Sequence, residues 1–302
     1  MSTRRDLAEY RVIAVHAHPD DESISTGGAL AHLAARGADV EVVTCTLGEE
    51  GEVIGEKYAS LIAWDADQLG GFRIGELTRA CEVLGVRQRF LGGAGRYRDS
   101  GMAGAKTNDH PRAFVNSGEQ AVADLAAIFE EVSPHLVLTY GPDGGYGHPD
   151  HIRAHQITHA AAERTGNVGR ILWAVRLREE LEANLPAEVP QGWTRPAPGE
   201  LDAVGHCDTW VELDDLAYTA KVEAMRAHAT QVWIGDGLAS ETNPHAARAA
   251  GPVTAYALSN LVAQAVLRRE HYQFGAGVPI EHGADLLSGL SGLSGLSGWG
   301  AL

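Results

Sequence analysis

The chain has 302 residues, of which 44% are hydrophobic and 21% charged, so it can bury a sizeable core without staples and is not disordered over its length. Forty acidic against 24 basic side chains give a formal charge of −16, a field that repels phosphate backbones and anionic lipid surfaces and argues against nucleic acid as a partner. Apolar runs such as Val12–Val15 are strand-sized, far short of the roughly 20 residues that a membrane span needs, which argues against a membrane association.

The first ten residues carry acidic side chains where a signal peptide needs an unbroken apolar stretch. Arg11–His18 is β-branched and apolar until it meets His-Pro-Asp-Asp, the pattern of a buried parallel strand ending in a loop. A helix over 26–36 stops at Gly37, and Asp39–Leu47 supplies the next strand, which completes a β-α-β unit. The glycine- and charge-rich stretch 48–75 is predicted to hold a helix over 57–69, and with 92–116 it forms a pair of long loops suited to binding. Helices are expected over 76–84, 117–132 and 149–164, and strands over 88–91, 135–140 and 171–177. Four prolines in 186–198 mark a surface linker or insertion rather than core, and a further helix is expected over 214–232. The closing Leu-Ser-Gly repeat has the composition of a flexible tail. The expected fold is α/β: a Rossmann-like, mostly parallel sheet over 1–168, a smaller carboxyl-terminal α+β region over 169–285, and the tail 286–302.

Cys45, Cys81 and Cys207 are widely spaced and odd in number, which fits buried reduced thiols in a cytoplasmic protein. The chemistry lies in two clusters, His16-Ala-His-Pro-Asp-Asp-Glu22 and His148-Pro-Asp-His151, each directly after a predicted strand. Loops leaving the carboxyl ends of parallel strands share one edge of the sheet, so the clusters can converge although about 130 residues separate them. His18, Asp21 and His151 can then supply the three-ligand set of a catalytic Zn²⁺ or a similar ion. Adjacent Asp20 points elsewhere and is a candidate general base, because metal-assisted amide hydrolysis needs a carboxylate that takes the water proton and returns it to the leaving amine. Tyr146 and His148 can donate to the developing oxyanion, and Asp150 can orient a neighbouring histidine. Either cluster alone reads equally well as a polar turn; two at matching positions favour one site. The other histidines, His228 among them, read as structural or exposed. No dinucleotide fingerprint, Walker lysine or nucleophile elbow is present.

Through Ala17–Glu22 and His148–His151 the sequence resembles the LmbE-like (PIG-L) metal-dependent deacetylases, over roughly residues 11–165. Thr44–Gly55, Gln68–Leu77 and Leu91–Gly104 are similar to the branch that deacetylates N-acetylglucosaminyl-inositol during mycothiol biosynthesis. The resemblance implies one zinc per subunit on His18, Asp21 and His151, with ferrous iron as the alternative ion. It implies Asp20 as base and then acid, and Tyr146 and His148 on the oxyanion. Arg73 and Asp99 match positions that hold sugar or inositol hydroxyls, with Glu52 and Met102 as weaker matches. As ordinary residues, Arg73 would be an ion-pair partner, Asp99 a turn residue and Met102 core filler. The expected substrate is a small sugar-inositol; alternatives are a mycothiol S-conjugate amidase and a non-catalytic, metal-containing sugar-binding module.

Overall fold

In the computed structural model, which describes residues 5–243 and 247–291, the apolar run after Tyr10 forms strand β1 (Arg11–His16), an interior strand of a seven-stranded sheet. Its side chains alternate between two cores: Val12 and Ala14 join the apolar cluster on one face, Ile13 and Val15 the cluster on the other. Burial on both faces is why this strand reads as unbroken apolar sequence.

The order across the sheet is β3 (Arg87–Phe90), β2 (Asp39–Thr44), β1, β4 (Leu136–Thr139), β5 (Arg170–Val175), β10 (Arg269–Gly277) and β6 (Thr209–Glu212). The first five strands are parallel, whereas β10 runs antiparallel to both β5 and β6. This is a doubly wound sheet whose order reverses between β1 and β4, where a crevice opens at their carboxyl ends. Helices α1 (Gly27–Ala35), α2 (Leu69–Leu84) and α7 (Asp215–Ala227) cover one face, and α3 (Gly118–Val132) and α5 (Pro149–Thr165) the other. A turn α4 (Gly144–Gly147) precedes α5, and α6 (Arg178–Asn184) follows β5. Strands β7 (Trp233–Ile234), β8 (Ala255–Ala257) and β9 (Gln264–Ala265) make a small antiparallel sheet. No helix among the described residues is long and apolar enough to cross a membrane. The three cysteines are free and buried.

Four expectations need correction. There is no helix over 57–69: that stretch holds only a 3₁₀ turn at Ala59–Leu61, and α2 starts at Leu69. Gly70, Gly71 and Gly75 had hidden its first turns, yet at Gly70 a Cβ would meet Glu49 Cγ at 2.7 Å, so the close approach of helix and loop requires glycine there. Helix α7 ends at Ala227 rather than 232, and residues 228–232 turn back as a loop. The proline-rich stretch is more than a linker, because Trp193 is buried in a small core with Ala257 and Ala263. Finally, the repeat starts as packed structure: Leu286, Leu287 and Leu290 are buried in the main core. Arg170, itself fully buried, donates to the carbonyl oxygens of Val278, Pro279, Leu286 and Ser288 and so ties this segment down. Residues 292–302 of the expected tail lie outside the described residues.

Candidate metal centre

The loop after β1 and the turn after β4 meet at the crevice. His18 and Asp21 come from the first, where Asp21 Oδ2 accepts from His18 N at 2.9 Å, and a π-helical turn over Glu22–Thr26 leads into α1. His148 caps α5, its Nδ1 accepting from Asp150 N at 3.2 Å, with Pro149 at the first helical position, so the first turn of α5 carries Asp150 and His151 inward. Turn α4 packs tightly there: Gly144 has φ +68°, and a Cβ on it would lie 2.8 Å from His151 Cβ.

The two carboxylate oxygens of Asp21 face one imidazole each, 3.3 Å from His18 Nδ1 and 3.3 Å from His151 Nε2. The remote nitrogens are engaged elsewhere. His18 Nε2 lies 3.3 Å from Asp150 Oδ2, and His151 Nδ1 lies 3.1 Å from the Gly144 carbonyl oxygen. A histidine that donates from its outer nitrogen presents a lone pair on the inner one, as metal-ligating histidines do. His151 Nε2 is buried and makes no hydrogen bond. Two imidazoles turned toward a carboxylate, one with a buried nitrogen lacking a hydrogen-bond partner, fit a divalent transition ion.

Among the described residues, the ligand atoms that lie within 4.8 Å of one another are those of His18, His148 and His151 and those of His18, Asp99 and Asp150; Asp21 belongs to neither group, although it faces His18 and His151 pairwise. His148 fits a different role. Its Nδ1 accepts a backbone N–H, so the neutral ring carries its proton on Nε2 and is a donor. Burial, with His18 and His151 alongside, pushes its pKa down to about 3 and keeps it neutral. Asp150 Oδ2 holds both His18 Nε2 and Ser100 N, the latter at 2.9 Å.

Against the push of burial, His151 and His18 hold Asp21 well below the usual carboxylate range, and His18 similarly lowers Asp99. The same acids, Asp99, Asp150 and Asp21, raise His18 despite its burial. Asp20 differs: burial, with Asp21 beside it and Arg73 pulling the other way, raises it to about 6. Its backbone is unusual, with φ +122° on a residue that is not glycine.

A cavity of about 580 Å³ opens over these groups. All of the expected site residues line it except Asp150, which sits behind His18: His18, Asp20, Asp21, His148, His151, Tyr146, Arg73, Asp99, Glu52 and Met102. Tyr146, 58% exposed, stands at the mouth in T-shaped contact with His148 and His151. Arg73 is buried, donating to Gly48 O at 2.8 Å and lying 3.2 Å from Asp20 Oδ2. The far wall comes from the carboxyl-terminal region and includes Arg176, Asp202, Tyr256 and Gln264.

The roles of three residues escaped the sequence reading. Tyr140, at the end of β4, donates to Asp21 Oδ2 at 2.7 Å and stacks on His151 with ring centroids 4.1 Å apart. Glu22 and His228 are fully buried and paired at 2.7 Å. An aromatic at the tip of a strand bearing the second cluster was a usable signal for Tyr140; nothing local marks a pair 206 positions apart.

Comparison with known proteins identifies the family and the relatives of this chain. Residues 13–162 match the family PIG-L, GlcNAc-PI de-N-acetylase. The chain is 63% identical over 285 residues to the 1D-myo-inositol 2-acetamido-2-deoxy-alpha-D-glucopyranoside deacetylase of Corynebacterium efficiens, covering 92% of this chain and 91% of that protein. It is 48% identical over 295 residues to the protein of the same name from Rhodococcus jostii, covering 92% and 96%. Among solved structures, N,N'-diacetylchitobiose deacetylase from Pyrococcus horikoshii shares the fold, with a TM-score of 0.51 at 19% identity over 75% of this chain and 71% of that one.

Proposed function

The chain belongs to the PIG-L family of GlcNAc-PI de-N-acetylases, and we propose that it hydrolyses the acetamide of N-acetylglucosaminyl-inositol to glucosaminyl-inositol and acetate, a step of mycothiol biosynthesis. The substrate is that of relatives up to 63% identical along nearly their whole length. One observation carries the chemistry: His18 and His151 each face a different oxygen of the Asp21 carboxylate, with Asp20 next in the chain and outside that grouping.

His18, Asp21 and His151 would hold zinc, or ferrous iron in its place, since both accept imidazole and carboxylate. Such an ion supplies Lewis acidity toward the amide carbonyl and lowers the pKa of a ligated water. Asp20 accepts the proton of the attacking water and delivers it to the departing nitrogen. His148 donates from Nε2, and Tyr146 from its hydroxyl, to the oxygen that gains charge as the carbon becomes tetrahedral. Asp150 fixes the orientation of His18. Arg73, Asp99, Glu52 and Met102, around the cavity, receive the sugar and inositol hydroxyls. Three free, buried thiols agree with a cytoplasmic enzyme acting on a diffusible sugar-inositol.

The test is to incubate metal-loaded protein with N-acetylglucosaminyl-inositol and measure both the freed primary amine and acetate, with a mycothiol S-conjugate in parallel. Equal amounts of amine and acetate, with slower cleavage of the conjugate, are expected. An intact acetyl sugar beside a cleaved conjugate overturns the assignment in favour of the amidase.

A further inference from the structure

The Pro19–Asp20 peptide group is gripped at both polar ends. Its carbonyl oxygen accepts from Arg73 Nη2, and its N–H donates to Glu22 Oε2 at 2.9 Å. The other oxygen of Glu22 accepts from His228 Nε2 at 2.7 Å and from Ser23 Oγ at 2.5 Å. A guanidinium and a carboxylate thus hold one amide plane from opposite edges, both charge-assisted. The two arms share a support. Arg73 lies on α2 three residues before Glu76, whose carboxylate accepts from Thr230 N and Thr230 Oγ1, both at 2.8 Å. Thr230 belongs to the loop that carries His228.

The angle φ of Asp20 is the rotation between that amide plane and its own Cα. At +122° it lies where L side chains rarely settle, and such a conformation persists only where its surroundings over-determine it. Resting on the reading of Asp20 as the base, we propose that Glu22 and His228 are a positioning pair that holds Asp20 in this backbone conformation and thereby aims its carboxylate into the cavity. Neither side chain lines the cavity, so both act through Asp20.

The test uses full-length, zinc-loaded His228→Ala and His228→Gln. In the alanine variant kcat on N-acetylglucosaminyl-inositol falls 10- to 100-fold, while KM and bound zinc stay within twofold of the unaltered enzyme. The glutamine variant, whose amide N–H can still donate to Glu22, recovers most of kcat. If His228→Ala does not fold, His228→Phe fills the ring volume without a donor and replaces it. A folded donor-free variant with kcat within twofold of the unaltered enzyme overturns the proposal, as does a loss confined to KM or zinc content. Failure of both donor-free variants to fold assigns His228 to the fold alone and overturns it too.

A second readout needs no turnover and so survives a wrong substrate. Asp20→Gly should melt higher than Asp20→Ala, because both lack the carboxylate but glycine alone is at ease at positive φ. That gap should largely persist in the His228→Gln background and close in a folded donor-free one. An unchanged gap across all backgrounds counts against the clamp whatever the enzyme cleaves.

Discussion

At residue scale, two adjacent aspartates have opposite surroundings. Asp21 accepts from Tyr140 and from the backbone N–H of His18 and faces two imidazoles, whereas Asp20 pairs with Arg73 and faces no metal-site imidazole. Environments that push like groups apart are the mark of divided acid–base work. Asp20→Ala should therefore lower kcat by about 10²–10⁴-fold while zinc content, measured on the dialysed protein, stays at that of the unaltered enzyme. Unchanged turnover would remove Asp20 from the reaction. Much of this was legible in the sequence, since short-range spacing after a strand marks His18, Asp21 and His151 directly. Glu22 was in view but its task was not, because it depends on His228, and pairings across the chain leave no periodic trace.

At element scale, the second cluster is aimed by a turn stacked on a helix. Gly144→Ala places a methyl against His151 Cβ and the Ile152 backbone at a positive φ, so α4 or α5 must shift. We expect zinc affinity to fall at least tenfold in a protein that stays folded, read by competition with a chromogenic chelator. Farther along α5, His159 accepts from Trp173 Nε1 at 3.0 Å. Burial, with His155 beside it, lowers its pKa to about 4. The folded value lies below the unfolded 6.5, so the unfolded chain binds more protons between those limits. This contribution is complete above about pH 6.5 and is lost as the pH falls toward about 4; for a partly exposed ring it is on the order of 1 kcal/mol. His159→Gln should flatten the slope of stability between pH 6.5 and 4 in urea melts, and an unaltered slope would assign that slope to other groups. Strands and amphipathic helices here followed from pattern. Helix α2 did not, because the glycine that lowers helix propensity at Gly70 is the one that admits Glu49 against its first turn.

At the scale of the molecule, the carboxyl-terminal region is continuous with the first half, since β10 and β6 extend the same sheet and the far cavity wall comes from residues after 170. Sequence pattern could not show this, because antiparallel addition to an edge is decided by docking rather than local propensity. The four carbonyls that Arg170 holds are the clearest long-range tie outside the sheet. Arg170→Met keeps the stem but leaves buried acceptors without donors, which should cost about 3–5 kcal/mol in denaturant melts and expose residues 278–290 to limited proteolysis. A wild-type melting curve would show that the segment is held by its leucines instead.

The placement of β10 sets a timetable. The ribosome delivers this strand after β6, yet it lies between β5 and β6, so until then β5 presents a bare edge and β6 has no neighbour. Newly made chains therefore pass through a stage with an open, adhesive flank, during which chaperone capture and clumping compete with completion. Slowing translation just upstream of codon 269 should lengthen that exposure and reduce soluble yield without altering a single contact of the finished enzyme.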